Sequence, residues 1–263
     1  MGDYACVMTA SHFDCLVPDW PVPPHVRALC TRRDGGSSLG TYAGLNLGLH
    51  VGDDARVVHS HRLRLQAALG ARAVFLEQVH GCDMVEIGSD AVDGQRADGA
   101  YTSQPGLACT VMVADCLPVL FCDAQGRQVA AAHAGWRGLL GTQGRGILEE
   151  ATATFGTKGT EGLMAWLGPC IGPQAFEVGD EVRAAFVAAT PEATDCFKPL
   201  AAGKWLADLP GLVRQRLHAL GIARTYGNDG GQGWCTVSNP SRLSSHRRDG
   251  VSGRMAACIW RVD

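Results

Sequence analysis

Residues 107–134, LACTVMVADCLPVLFCDAQGRQVAAAHA, contain the pattern that decides the fold. Three short apolar runs, at 107–113, 117–122 and 128–133, are separated by breaks that contain aspartate or glycine. Runs of this length, with turn-forming residues between them, are typical of successive β-strands. The stretch therefore predicts a β-sheet near the middle of the chain.

Outward from this stretch, strand-like and helix-like segments are mixed without a regular βαβ repeat. Further strands are predicted at 26–32, 73–79, 83–87, 163–167 and in the closing segment MAACIWRV. Apolar spacing and cap residues, such as Gly70 after the first helix, predict helices over 55–69, 138–155, 179–189 and 208–220. This mixture predicts an α+β (layered α/β) fold, with mixed β-sheets, helices packed outside them and one continuous core.

The domain organisation follows from the proline content of the N-terminal segment. Residues 18–24 read PDWPVPP, and proline both fixes its own φ and disfavours helix at the residue before it. Residues 1–25 are therefore predicted to form an extended lead-in. No repeat, low-complexity tract or long linker interrupts residues 26–263, which are predicted to form a single compact catalytic domain.

Composition and charge exclude several classes of protein. Of the 263 residues, 46% are hydrophobic and 19% charged, and the formal net charge is −3. This is the balance of a globular protein, and it provides no basic surface for nucleic acid or membrane. No apolar run approaches the roughly 20 residues that cross a bilayer, and the N-terminus lacks the basic segment of an export signal. We expect a cytoplasmic monomer or small homo-oligomer whose partners are small molecules.

The chain contains 11 cysteines, which is a high number for its length. Their number is odd, their spacing is irregular and no CxxC pair occurs. A disulfide scaffold is therefore disfavoured, and most of the thiols are expected to be reduced and packed as small apolar side chains. A cysteine with a chemical role has to be an exception among them.

Three segments each consist of a strand-like run that ends on a metal-binding side chain beside glycine or proline. They are FLEQVHG with His80, VMVADCLPVL with Cys116 and VAAAHAGWRG with His133. Two imidazoles and a thiolate suit Zn²⁺, and three protein ligands leave its fourth position open for water or substrate. The long gaps between them match no short-range zinc motif. A turn histidine, a buried thiol and a core histidine therefore stay open as alternative interpretations.

These segments resemble the signature of the laccase-domain family, whose members are described as purine nucleoside phosphorylases, polyphenol oxidases and peptidoglycan editing factors. The resemblance runs from about residue 29 to 261 through TRRDGGSS, YAGLNLGLHVGDD, LEQVHG, ADGAYTSQPGLACTVMVADCLPVL, AAHAGWRG, WLGPCIGPQAFEVGDEV, GKWLADLP and SHRRDGVSGRMAACIW. It implies that His80, Cys116 and His133 are catalytic residues and ligands of one zinc ion. It also implies phosphorolysis of adenosine, inosine and S-methyl-5'-thioadenosine, with associated adenosine deaminase activity.

The chain departs from the family pattern at three places. Residues 174–176, QAF, stand where relatives often carry paired cysteines. Leu243 and Ser244 stand where aromatic residues are usual, and His246 stands where tyrosine is frequent. None of these positions is a predicted metal ligand, so the departures concern substrate preference and the loops around the pocket.

Phosphate requires hydrogen-bond donors, and the corner that contains Arg137 is one candidate. Free N–H groups at the N-terminus of the helix predicted after Gly138 favour anions, and Arg137 can add a bidentate contact. Arg32, beside a Gly-Gly-Ser-Ser loop, is a second candidate, and Asn46 and His50 can reach the same pocket. Surface ion pairs for the two arginines and a loop-stabilising role for Asn46 stay open as alternatives.

Two acidic residues flank the predicted ligands along the chain. Asp115 directly precedes Cys116 and can orient a ligand histidine, provided that the strand has ended before it. Glu77 lies on the opposite strand face from His80 if the strand is regular, and is expected to be structural.

Three other functions compete with this hypothesis. A copper-dependent polyphenol oxidase needs many histidines in at least two clusters, and the HxH pair His59 and His61 does not share a helix face. A metal-free cysteine hydrolase in cell-wall precursor editing would use Cys116 as nucleophile and His133 or His80 as base. A polar pocket at three strand ends argues against a binding protein without activity. Zinc, with copper less favoured, is the expected cofactor, and purine nucleosides and phosphate are the expected substrates.

Overall fold

The computed structural model describes residues 14–156 and 162–263. Its strands are β1 (Cys15–Leu16), β2 (Val26–Thr31), β3 (Arg72–Phe75), β4 (Met84–Glu86), β5 (Gly99–Thr102), β6 (Leu107–Val113), β7 (Leu117–Cys122), β8 (Val129–Ala134), β9 (Met164–Leu167), β10 (Glu177–Gly179), β11 (Phe197–Ala201), β12 (Lys204–Ala207), β13 (Arg224–Gly227) and β14 (Met255–Arg261). Its α-helices are α1 (Ala55–Leu69), α2 (Trp136–Leu140), α3 (Ile147–Ala153), α4 (Asp180–Ala189), α5 (Leu209–Ala219) and α6 (His246–Asp249). Short 3-10 helices lie at Gly40–Tyr42, Leu49–Val51, Pro191–Cys196 and Gln232–Trp234.

Two mixed β-sheets form the centre of the described structure. One has five strands in the order β1-β2-β14-β6-β3, and the other has six in the order β13-β9-β7-β8-β5-β4. A smaller antiparallel sheet has the strand order β10-β12-β11. Its three strands lie between α3 and α5 in the sequence. The predicted strands 107–113, 117–122 and 128–133 are β6, β7 and β8, so the stretch that decides the fold contributes to both large sheets.

Alternating side chains divide the core into layers, because successive strand residues point to opposite faces of a sheet. On β7, Leu120 packs in the cluster that joins the two large sheets, together with Val111 of β6. Its neighbour Phe121 packs on the other face, in the cluster that includes Leu148 of α3 and Val213 of α5. Helix α1 packs its apolar residues on the outer face of the five-stranded sheet. The expectation of mixed sheets with helices packed outside them is therefore confirmed.

Helix α1 begins and ends where the sequence predicts. The side chain of Asp54 accepts a hydrogen bond from the backbone N–H of Arg56 and caps the first turn. Gly70 ends the helix with a left-handed φ of 61°, and its N–H bonds to the carbonyl of Gln66. Both signals are local, which is why the sequence alone locates this helix.

The prediction of one helix over 138–155 is wrong. The structure has α2 and α3 instead, separated by a turn in which Gly141 and Gly144 have φ values of 65° and 78°. A helix requires negative φ, whereas glycine tolerates these positive values. A Cβ at Gly141 would also overlap the carbonyl of Arg145, so the glycine-rich turn is the reason for the break.

The strand predicted at 73–79 is shorter than expected, because β3 ends at Phe75. Beyond it, the side chain of Gln78 takes over the pairing with β6. Its amide donates to the carbonyl of Met112 at 2.8 Å and accepts from the N–H of the same residue at 2.7 Å. The chain is thus released from the sheet just before the His80 turn.

Several elements escaped sequence analysis. They include β5, β13 and the three-stranded sheet, whose short segments such as GAYT and FKPLA have weak apolar patterns. The lead-in over 1–25 stays a prediction, since residues 1–13 lie outside the described residues. Within the remainder, β1 pairs with β2 and Trp20 is only 9% exposed. None of the described helices combines the length and apolar character that a bilayer crossing demands.

Candidate metal centre

The three residues predicted as metal ligands lie together in the structure. The ligand atoms of His80, Cys116 and His133 are all within 4.8 Å of one another, and the two imidazole rings meet edge to face. The antiparallel register of β7 and β8 pairs Leu117 with Ala134. The start of β7 therefore lies beside the end of β8, and Cys116 comes next to His133.

A buried carboxylate that sequence analysis missed holds two of the three residues. Asp98, immediately before β5, is 0% exposed. One of its oxygens accepts hydrogen bonds from Nδ1 of His133 at 2.8 Å and from the backbone N–H of His80 at 2.9 Å. The other accepts from the backbone N–H groups of Val79 at 3.1 Å and Gly81 at 2.7 Å. Since Nδ1 of His133 is engaged, its Nε2 is the atom available to a metal.

Glycine keeps space open beside the cluster. A Cβ at Gly135 would lie 2.9 Å from Cδ2 of His80 and 3.1 Å from Sγ of Cys116. Zinc binds His nitrogen at about 2.0–2.1 Å and Cys sulfur at about 2.3 Å, so donors this close can share one ion. Among the described residues, His80, Cys116 and His133 form the one group of three or more His, Cys, Asp or Glu side chains that can hold a metal. The donor set and the open cradle fit a metal centre.

The cluster also shifts the pKa values of two of its own members, Cys116 and His133. Burial alone would raise the pKa of the Cys116 thiol, but the charge and hydrogen bonds of His133 and His80 outweigh burial and lower it to about 6. Burial alone would lower the pKa of His133, yet the Cys116 thiolate and the hydrogen bond to Asp98 raise it to about 9. The two shifts have the same cause, because the Cys116 thiolate and the His133 imidazolium stabilise each other.

Asp115 has a different role from the one expected. Its carboxylate is not hydrogen-bonded to His80 or His133. It accepts hydrogen bonds from the hydroxyl of Thr236 at 2.5 Å and the N–H of Arg247 at 2.6 Å. Its carbonyl accepts from the N–H of Ile171 at 2.8 Å, and its φ is 94°. Asp115 thus ties three distant segments together around Cys116.

A cavity of about 380 Å³ contains the three cluster side chains in its lining, a size usual for small-molecule sites. Part of its wall is apolar or aromatic and consists of Met112, Trp136, Ile171, Phe176 and Leu209. Another part carries imidazole or guanidinium groups from His50, Arg137, His246, Arg247 and Arg254. The cavity therefore offers surfaces for a flat base and for an anion next to the cluster of His80, Cys116 and His133.

The structure brings two of the four predicted substrate contacts into this cavity. Arg137 and His50 line it, whereas Arg32 and Asn46 do not. Arg32 is paired with the carboxylate of Asp14. Asn46 is fully buried, and its side-chain oxygen accepts from the backbone N–H of Arg254 at 2.8 Å. Buried amides need such partners, so Asn46 supports the cavity wall from behind.

The corner around Arg137 differs from the expected helix N-terminus. Helix α2 already begins at Trp136 and has only five residues, so it supplies little dipole. The guanidinium of Arg137 lies over the Trp136 ring at 4.4 Å. Among the described residues it has no hydrogen-bond or ion-pair partner, so its donors are available to a ligand in the cavity.

Comparison with known proteins places the chain in a family. A model described as multi-copper polyphenol oxidoreductase laccase matches residues 27–262. The chain belongs to this family. Purine nucleoside phosphorylase PA4543 of Pseudomonas aeruginosa is 49% identical over 94% of this chain and 98% of its own length. Purine nucleoside phosphorylase YfiH of Escherichia coli is 47% identical over the same shares of the two chains.

Solved structures show the same fold for this laccase-family member. Neisseria meningitidis protein NMB0706 is 43% identical and superposes with a TM-score of 0.87, covering 95% of this chain and 99% of its own. YlmD of Geobacillus stearothermophilus is 32% identical, with a TM-score of 0.83 over 96% and 100% of the two chains. The resemblance inferred from the sequence motifs is confirmed.

Proposed function

We propose that this protein is a zinc-dependent purine nucleoside phosphorylase that acts on adenosine, inosine and S-methyl-5'-thioadenosine, with associated adenosine deaminase activity. The observation that carries the proposal is the cluster of His80, Cys116 and His133 in a cavity with both cationic and aromatic walls. The names of relatives at 49% and 47% identity support the reaction class. Two imidazoles and one thiolate, with an open fourth position, favour zinc.

The aromatic wall suits the purine base. Trp136 and Phe176 line the cavity with Met112 and Ile171, and aromatic rings pack well against flat heterocycles in offset or edge contacts. Burial there excludes water from the glycosidic bond, whose cleavage by water would compete with its cleavage by phosphate. The base is thus held by shape and apolar contact.

The cationic wall suits phosphate. Arg137 has free donors, and Arg254 lines the same cavity; a guanidinium can bind two phosphate oxygens at once. In phosphorolysis a phosphate oxygen bonds to the anomeric carbon while the base leaves with the electron pair of the C–N bond. Preorganised donors lower the barrier by stabilising the charge that develops.

His50 can contribute a hydrogen bond. Burial and the nearby Arg254, Arg62 and His80 lower the pKa of its imidazole, so the neutral form dominates near neutral pH. A neutral imidazole can donate a hydrogen bond to the departing base without adding charge to the cationic wall. When bound, zinc supplies Lewis-acid polarisation, which suits both departure of an anionic base and hydrolytic deamination.

A metal-free cysteine hydrolase is the second candidate, and one arrangement favours it. Asp98 bonds to Nδ1 of His133 at 2.8 Å, and His133 adjoins the Cys116 thiol. Orienting carboxylate, base and nucleophile follow each other as in acyl-transfer triads. Multicopper oxidation is not proposed, because the described residues contain no second cluster of three such ligands.

The test combines metal content with nucleoside turnover. Protein purified without chelator should contain one zinc per chain and release adenine from adenosine only when phosphate is present; ammonia release measures deamination. Cys116→Ala should lose zinc and turnover. Cys82→Ala is the matched control, since this half-buried thiol bonds to the carbonyl of Gly138 and does not line the cavity.

Each alternative result has a clear meaning. Full turnover by Cys116→Ala would refute the proposed mechanism. Metal-free protein that lacks nucleoside turnover but cleaves an amide substrate, and loses that activity in Cys116→Ala, would establish the hydrolase instead.

A further inference from the structure

Asp98 is an unusual carboxylate because of where its hydrogen bonds go. It is fully buried, and a buried charge is costly unless it is well paired. Within the described part of the chain, its side chain has no arginine or lysine partner. The hydrogen bonds to its carboxylate come from the ring of His133 and from three successive N–H groups, those of Val79, His80 and Gly81.

The three N–H groups form a small concave anion site around the carboxylate. His80, at its centre, has a left-handed φ of 60°, a conformation that non-glycine residues rarely adopt. The hydrogen bonds to Asp98 hold this turn closed. The direction of the His80 side chain, toward Cys116 and His133, therefore depends on a carboxylate that comes from another part of the chain.

The same carboxylate sets the orientation of His133. Its ring Nδ1–H donates to Asp98 at 2.8 Å, and its backbone N–H donates to the carbonyl of Asp98 at the same distance. A hydrogen bond from one imidazole nitrogen selects the tautomer whose other nitrogen can bind a metal. Ring and backbone of His133 are thus both fixed by one residue.

We propose that Asp98 is the positioning residue of the metal centre, presenting His80 and His133 together as preoriented ligands while touching neither metal nor substrate. The inference rests on the metal centre of the proposed function, but it does not depend on which reaction the centre performs. Asp98 acts on both histidines at once. Its loss should therefore lower the zinc affinity more than the loss of a hydrogen-bond partner of only one histidine.

The decisive measurement is the zinc affinity of Asp98→Asn, obtained by competition with a chromophoric chelator. The amide keeps the volume of the carboxylate, but its NH₂ group cannot accept the N–H groups that face it. We expect zinc binding to weaken about 10–100-fold, the usual effect of losing a residue that orients metal ligands. Co²⁺ loaded into the variant should show a changed thiolate-to-metal absorption band.

Asp93→Asn is the control variant. Asp93 also accepts a backbone hydrogen bond, from Phe75 at 3.0 Å, and forms an ion pair with Arg62, yet it does not contact the cluster. Its substitution should lower the melting temperature without changing zinc affinity. Unchanged zinc affinity in a folded Asp98→Asn protein would overturn the inference.

A measurement on the unmodified protein covers the case in which Asp98→Asn does not fold. In the ¹¹³Cd-loaded protein, metal coupling should appear at Nε2 of His133, and its Nδ1–H should exchange slowly with solvent. Coupling at Nδ1 would overturn the inference. Zinc affinity that depends on Asp98, without any nucleoside turnover, would reject the proposed function and leave this inference standing.

Discussion

Replacement of Gly135 by alanine adds one methyl group beside the cluster of His80, Cys116 and His133 without straining the backbone. Gly135 has φ −73° and ψ 159°, which lie in the region open to all residues. The added Cβ would be 2.9 Å from Cδ2 of His80 and 3.1 Å from Sγ of Cys116. Carbon contacts are most favourable at about 3.5–4.0 Å. Both side chains must therefore move by several tenths of an ångström.

The structural cost of Gly135→Ala should be small and its effect on metal binding large. Overpacking costs about 1–3 kcal/mol, and loss of unfolded-state entropy on changing Gly to Ala returns about 0.4–1 kcal/mol. His80 is exposed, so its ring can turn aside, and we expect a net loss of at most about 2.6 kcal/mol. Two of the three proposed ligands are displaced at once, so zinc affinity should fall at least about 10-fold.

The assay compares zinc affinity, by chelator competition, with the thermal unfolding of the metal-free protein. Gly233→Ala is the matched control: a Cβ at Gly233 meets no atom within 4 Å, and this glycine does not line the cavity. The control should match the unmodified protein in both measurements. If Gly135→Ala bound zinc as tightly as the unmodified protein, the reasoning that this glycine keeps the cradle open would be refuted.

Three further predictions concern charge in and around the cavity. Because the pKa of Cys116 is lowered to about 6, iodoacetamide should alkylate this thiol in the metal-free protein with a half-maximal rate near that pH, and zinc should protect it. Peptide mass spectrometry checks this, and a rate that rises only above about pH 8, as for an ordinary thiol, would contradict it. Arg137→Gln should raise the KM for phosphate about 10-fold or more, since a charge-assisted hydrogen bond contributes about 1.5–3 kcal/mol. The zinc content should stay the same. Steady-state kinetics check this, and an unchanged KM for phosphate would show that Arg137 does not bind phosphate. Although burial opposes it, hydrogen bonds from His133, Gly81 and Val79 lower the pKa of Asp98. The carboxylate therefore adds stability above its unfolded pKa of about 3.9 and loses it as the pH falls through the lower folded pKa. In denaturant unfolding, the free energy of unfolding of the metal-free, unmodified protein should fall more steeply with decreasing pH than that of Asp98→Asn. Parallel curves for the two proteins would contradict this contribution.

The sequence determined the features that depend on local signals. Helix α1 has its predicted bounds because Asp54 and Gly70 cap it within its own segment. The strands around Cys116 follow from short apolar runs between turn residues. The ligand set came from the family motifs, since spacing alone left His80, Cys116 and His133 open to simpler interpretations.

Tertiary structure decided the surroundings of those ligands. Asp98 became visible only when the fold brought it to His133, 2.8 Å away, because hydrogen bonds between distant segments leave no periodic mark in the sequence. The sequence makes Arg32 and Asn46 further candidates beside Arg137, yet their donors and acceptors are satisfied by Asp14 and by the backbone of Arg254. Composition and spacing state which groups can bind a ligand. Only packing decides which of them still have free donors and face the cavity.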